Sequence, residues 1–123
     1  MENPEKLNEM FVIQQKAQAT RGTWDRIKDN PAMKQQFINQ MILACQEECV
    51  EIMRETAYKN PVYVPFGWKN KQEWNEAKYK EEIIDLWHFV MNLWLAVDGT
   101  PEEFYEMYKK KNEENLKRWA NGY

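Results

Sequence analysis

The apolar stripe Phe37, Met41, Ala44 is followed, at the next two positions of helical spacing, by Glu48 and Glu51. The next long amphipathic segment repeats the pattern in reverse, with Glu82 and Asp85 leading at spacing four into Phe89. Each acidic pair is i, i+3, so its two carboxylates are neighbours on one helical face, with Cβ atoms about 5–6 Å apart. A fold that buries these stripes against each other brings four carboxylates into one partly buried place. Repulsion and lost hydration then call for a compensating cation. Oxygen-only ligation by several carboxylates suits a hard ion, Mg²⁺ with Mn²⁺ as a substitute, and Mg²⁺ commonly shares its coordination with phosphates. The alternative is that these are ordinary acidic pairs on solvated faces, as many i, i+3 pairs are. Glu47 and Glu81 also allow a rotated helix to present a different carboxylate.

The rest of the chain supplies helices to carry these stripes. A first helix is expected from about Leu7 to Gln18, broken at Arg21-Gly22-Thr23. Asn30-Pro31 opens a second, with Asn30 as N-cap and Pro31 in the first helical position, running towards Asn60-Pro61. Asn60 to Asn70 reads as an aromatic loop. A third helix is expected from about Gln72 to Val97, its core face set by Ile83, Leu86, Val90, Leu93 and Val97. Thr100-Pro101-Glu102-Glu103 forms a capping box that starts the fourth helix, ending near Trp119. Four Gly and five Pro in 123 residues argue against a turn-rich β-sandwich. The expectation is one all-α domain over residues 1–123, an antiparallel four-helix bundle.

Charge and composition exclude more than they assign. Seventeen Lys+Arg against 20 Asp+Glu gives a net charge of −3, unlike a chain built to coat nucleic acid. No apolar run is long enough for a membrane span, and the N-terminus has no secretory pattern. Cys45 and Cys49, four apart on one helical face, read as small core thiols rather than a disulfide, which fits a reducing cytoplasm. His88 lies on the stripe Ile84, His88, Met91, Leu95, where a lone His is usually a core residue. Lys111, Asn115 and Arg118 share a face of the last helix, with Tyr123 closing the chain. They form either a phosphate clamp or a solvated basic helix end that suits the macrodipole.

These segments together resemble the dimeric dUTPase family of the all-α NTP pyrophosphatase superfamily, which also holds MazG-like enzymes. The superfamily pattern E-x-x-E then E-x-x-D stands here as Glu48-Cys49-Val50-Glu51 and Glu82-Ile83-Ile84-Asp85. Glu82-Ile83-Ile84-Asp85-Leu86-Trp87-His88-Phe89 is similar to the family's acidic-D-x-x-H-F segment. The tail from Lys111 through Asn115 and Arg118 to Tyr123 resembles its K-x3-N-x2-RQ-x2-GY signature, with Trp119 in place of the usual Gln. Gln14 to Gln18 resembles its Q-x3-N segment, with Gln18 where Asn is usual, and Phe66-Gly67-Trp68-Lys69 falls where relatives carry Trp-Lys. Longer relatives have extra helices where this chain has Asp98-Gly99-Thr100.

The resemblance implies a Mg²⁺-dependent dUTP diphosphatase, cutting dUTP to dUMP and pyrophosphate in nucleotide-pool sanitation and dUMP supply. It assigns Glu48, Glu51, Glu82 and Asp85 to the metal. Glu51, with Glu48 beside it, would act in catalysis by helping a water attack the α-phosphorus. It assigns Lys111, Asn115, Arg118 and Tyr123 to the phosphates, and Gln14, Gln18, Trp68 and His88 to the base. A homodimer with no nucleic-acid or membrane partner is implied, in the cytoplasm of a bacterial or phage-infected cell. Two alternatives remain: a pyrophosphatase for another nucleotide, such as dCTP or a modified one, and a non-catalytic helical dimer that keeps the scaffold.

Overall fold

The computed structural model describes residues 4–58 and 73–122. Within them the chain is helical: α1 (Pro4–Ala19), α2 (Thr23–Ile27), α3 (Pro31–Arg54), α4 (Glu76–Leu95) and α5 (Pro101–Ala120). The four expected helices are present. The short α2 is an addition, formed where Gly22, at φ 73, turns the chain after α1. Ile27 of α2 is buried, and Trp24 donates its indole N–H to the Gln15 carbonyl while its ring meets Phe37 edge-on at 5.9 Å. The break between α1 and α3 is therefore a packed turn that fastens both helices.

The expected caps form. Asn30 accepts from the Met33 amide, and Thr100 from the Glu103 amide, each at 3.1 Å. A third cap, Asn75 on Lys78, starts α4 a few residues later than periodicity implies. Each satisfies an amide that has no partner within its helix.

α3 and α4 are the central pair, and they run antiparallel. The Asn75 amide donates to the Glu55 carbonyl, tying the start of α4 to the end of α3. Further along, Glu48 meets Glu82 and Asp85, and Met41 meets Asn92. α1 crosses α4 through a Gln14–Asn92 hydrogen bond of 2.8 Å. α5 is held by rings: Phe104 lies 5.7 Å from Phe11, 5.7 Å from Trp87 and 5.2 Å from Trp94.

The face that α4 turns inward is only partly the expected one, with Leu86, Val90 and Leu93 half-buried. Ile83 and Val97 are exposed, while Met91, Asn92 and Ala96 are buried. The inward stripe is Glu82, Asp85, Phe89, Asn92, Ala96, which continues the acidic pair at helical spacing. Turning this stripe towards α3 forces the Ile83 side outward. Cys49 is likewise exposed, Cys45 is half-buried, and both are free thiols. Among the described residues the buried apolar set is small: Phe11, Ile27, Met91 and Ala96. Large side chains including Ile13, Leu43, Ile84, Tyr108, Leu116 and Trp119 stand more than half exposed.

Candidate active site

The α3 and α4 stripes bring three of the four expected acids together. Carboxylate oxygens of Glu48, Glu82 and Asp85 lie within 4.8 Å of one another. Glu48 is the inner member, and its Oε2 is buried without a hydrogen-bond partner. Burial first, then a hydrogen bond with Glu82 and the negative charges of Asp85, Glu82 and Glu51, push the Glu48 carboxyl from 4.5 up to about 7. The site therefore holds either a proton or a cation at neutral pH. Clustered oxygen donors with one enclosed, unpartnered oxygen fit a hard divalent cation such as Mg²⁺.

Glu51 lies one turn further along α3, close enough to raise the Glu48 pKa, but its carboxylate is turned to Arg54 at 3.1 Å. Arg54, at i+3, is a positive charge within its reach. The Cys45 thiol, facing the same region, is pushed up by burial and by the neighbouring Cys49 and Glu48, so it is no thiolate nucleophile.

The other expected site residues are dispersed differently. Gln14 is buried and donates to Asn92. Gln18 accepts from the Thr23 hydroxyl at 2.7 Å. His88 is exposed rather than in the core, and its Nδ1 is 2.8 Å from the Ile84 carbonyl. A carbonyl can only accept, so Nδ1 carries a proton in this contact. On α5, Lys111 and Arg118 are exposed and Asn115 is half-buried. Trp68, the aromatic loop and Tyr123 lie outside the described residues. Sequence reasoning missed two polar participants, Arg54 and Asn92. The signal for Asn92 was available, since it is a lone amide inside the run Phe89-Val90-Met91-Asn92-Leu93-Trp94-Leu95.

A family model described as dUTPase matches residues 6–106, which include most of α1, all of α2 to α4 and the entire acidic site. The chain belongs to the all-α dUTPase family. The dCTP pyrophosphatase of Enterobacteria phage T4 is 35% identical over 49 residues, covering 40% of this chain and 29% of that protein. The dCTP pyrophosphatase of Enterobacteria phage LZ5 is 39% identical over 49 residues, covering 40% and 28% respectively. The match thus spans less than a third of the length of these curated relatives. No solved structure matches significantly. Among the described residues no helix is long and apolar enough to cross a membrane.

Proposed function

We propose that this chain is a Mg²⁺-dependent pyrophosphohydrolase of pyrimidine deoxynucleoside triphosphates, releasing the monophosphate and pyrophosphate. The observation that carries this reading is the convergence of Glu48, Glu82 and Asp85 around an enclosed carboxylate oxygen with no partner. Membership of the all-α dUTPase family favours dUTP as substrate. The named activity of the two phage relatives favours dCTP.

Mg²⁺, or Mn²⁺ in its place, supplies charge neutralisation at the triphosphate and orients nucleophile and leaving group. Glu48, Glu82 and Asp85 would hold it, with Glu51 completing the set when it leaves Arg54. Glu51 is the carboxylate we assign to take the proton from the attacking water, because it sits beside the cluster but outside its crowded centre. In-line attack at the α-phosphorus then breaks the bond to the pyrophosphate leaving group. Lys111, Asn115, Arg118 and Tyr123 would bind the phosphate oxygens, and Gln14, Gln18, Trp68 and His88 would form the base pocket. The breadth of exposed apolar surface supports a homodimer, which a monomer with so few buried apolar residues would gain most from forming.

The decisive experiment is pyrophosphate release from each deoxynucleoside triphosphate, with Mg²⁺ and with excess chelator. Metal-dependent turnover of dUTP or dCTP is expected. No turnover of any nucleotide with Mg²⁺ present leaves only the scaffold reading standing.

A further inference from the structure

Two turns away from the acids, the same helix faces carry a second polar group. Met41 lies seven residues before Glu48 on α3, and Asn92 seven residues after Asp85 on α4. Seven residues bring a helix back to within about 20° of the same direction, at about 1.5 Å per residue. Met41 and Asn92 therefore face one another about 10 Å along the helices from the carboxylates. Their contact bears this out, with Asn92 Nδ2 at 3.5 Å from Met41 Sδ. From α1, Gln14 Nε2 donates to Asn92 Oδ1 at 2.8 Å. Asn92 is 1% exposed and Gln14 7%.

This relay has one polarity. A thioether sulfur has no proton to give, so it accepts the Asn92 NH₂ and turns Asn92 Oδ1 towards Gln14. That oxygen needs a donor, so Gln14 turns its NH₂ inward. Gln14 Oε1 is left over, with no hydrogen-bond partner among the described residues. The enclosed, unpartnered side-chain oxygen among those residues is Glu48 Oε2, so Gln14 Oε1 keeps accessible surface. An unrestrained glutamine offers either oxygen or nitrogen by rotating its amide. This one offers oxygen.

We infer that Asn92, anchored by Met41, is a specificity-determining positioning residue that locks Gln14 with its carbonyl oxygen towards the nucleobase. This rests on the reading that a pyrimidine base lies against Gln14. Cytosine presents a donor at position 4 and an acceptor at position 3, and uracil the opposite. An acceptor held opposite one of these two positions separates the bases, whereas a rotating amide accommodates both.

The test compares kcat/KM for dCTP and dUTP in the full chain and in Asn92→Leu, with Mg²⁺ present. Calorimetric affinities for dCMP and dUMP supply the same comparison without turnover. The wild type is expected to favour one base by at least about tenfold, and Asn92→Leu to bring the ratio within about threefold of unity. An Asn92 that merely supports the fold would lower both substrates alike and leave the ratio unchanged, which overturns the inference. A wild-type ratio near one overturns it as well. Should Asn92→Leu fail to fold, Met41→Leu keeps the volume, removes the sulfur acceptor and is judged by the same ratio. Turnover of neither nucleotide by the wild type defeats the proposed activity instead, and the dCMP-to-dUMP affinity ratio then decides the relay on its own.

Discussion

Glu48 carries the main electrostatic tension of the molecule, and its consequence for stability has a definite sign. Its carboxyl titrates near 7 in the folded chain against an ordinary value of 4.5. Between those values the folded chain keeps a proton that the unfolded chain has released, so stability falls as pH rises. The penalty is absent below the ordinary value and complete above the folded one. In chelator, the melting temperature is expected to be about 5 °C lower at pH 8 than at pH 5.5 on this account. Mg²⁺ should raise it more at pH 8, where no proton competes. Glu48→Gln should flatten the pH slope, and calorimetry across that range checks both statements; an equal slope in the variant would show that another group is responsible. Glu51→Gln tests the assigned base. It should lower kcat by at least about 100-fold while leaving the circular-dichroism spectrum unchanged. Near-normal turnover would remove Glu51 from proton transfer.

At the scale of elements, the turn between α4 and α5 shows how closely local chemistry and packing are joined. Asp98 takes φ 59, and Gly99 follows with the Trp94 indole against its Cα. A Cβ at Gly99 would stand 2.5–2.7 Å from three atoms of that ring. The same indole donates to the Thr100 carbonyl and packs edge-on against Phe104, so it cannot yield without loosening α5. Gly99→Ala should therefore cost about 2 kcal/mol, read from chemical denaturation, and a loss under about 0.5 kcal/mol would mean the ring gives way freely. The starts of α3 and α5 were legible from residues alone, because Asn30 and Thr100 satisfy amides within their own turn; the end of α3 was not, since it stops at Arg54, several residues before the expected Asn60-Pro61. The inward face of α4 was not. An apolar stripe and a polar one compete on that helix: Leu86 and Val90 stay half-buried, but Ile83 is exposed while Glu82, Asp85 and Asn92 meet residues of α3. What decides is pairing across helices: Asn92 finds both Gln14 and Met41 there, and an amide left without them would be costly to bury.

At the scale of the whole molecule, the monomer leaves much apolar surface in water. Leu43 and Ile13 are 62% and 60% exposed, and Tyr108 and Trp119 are 65% and 63%. Single exposed apolar residues are ordinary, but this many beside so small a buried set is the ground for the proposed homodimer. Sedimentation at micromolar concentration should give twice the chain mass of 15.0 kDa. A single 15.0 kDa species, with a melting temperature independent of concentration, would reject the homodimer.

The sequence by itself determined the helical class, the caps and the placing of Glu48, Glu51, Glu82 and Asp85 on facing stripes, because helical periodicity and capping act over three or four residues. It also carried the family resemblance, since ordered motifs survive without coordinates. The tertiary structure alone decided that Glu48, Glu82 and Asp85 converge across α3 and α4 and that a buried relay runs from Met41 through Asn92 to Gln14. The relay joins partners 51 and 78 residues apart in the chain. No local pattern encodes the distance between them.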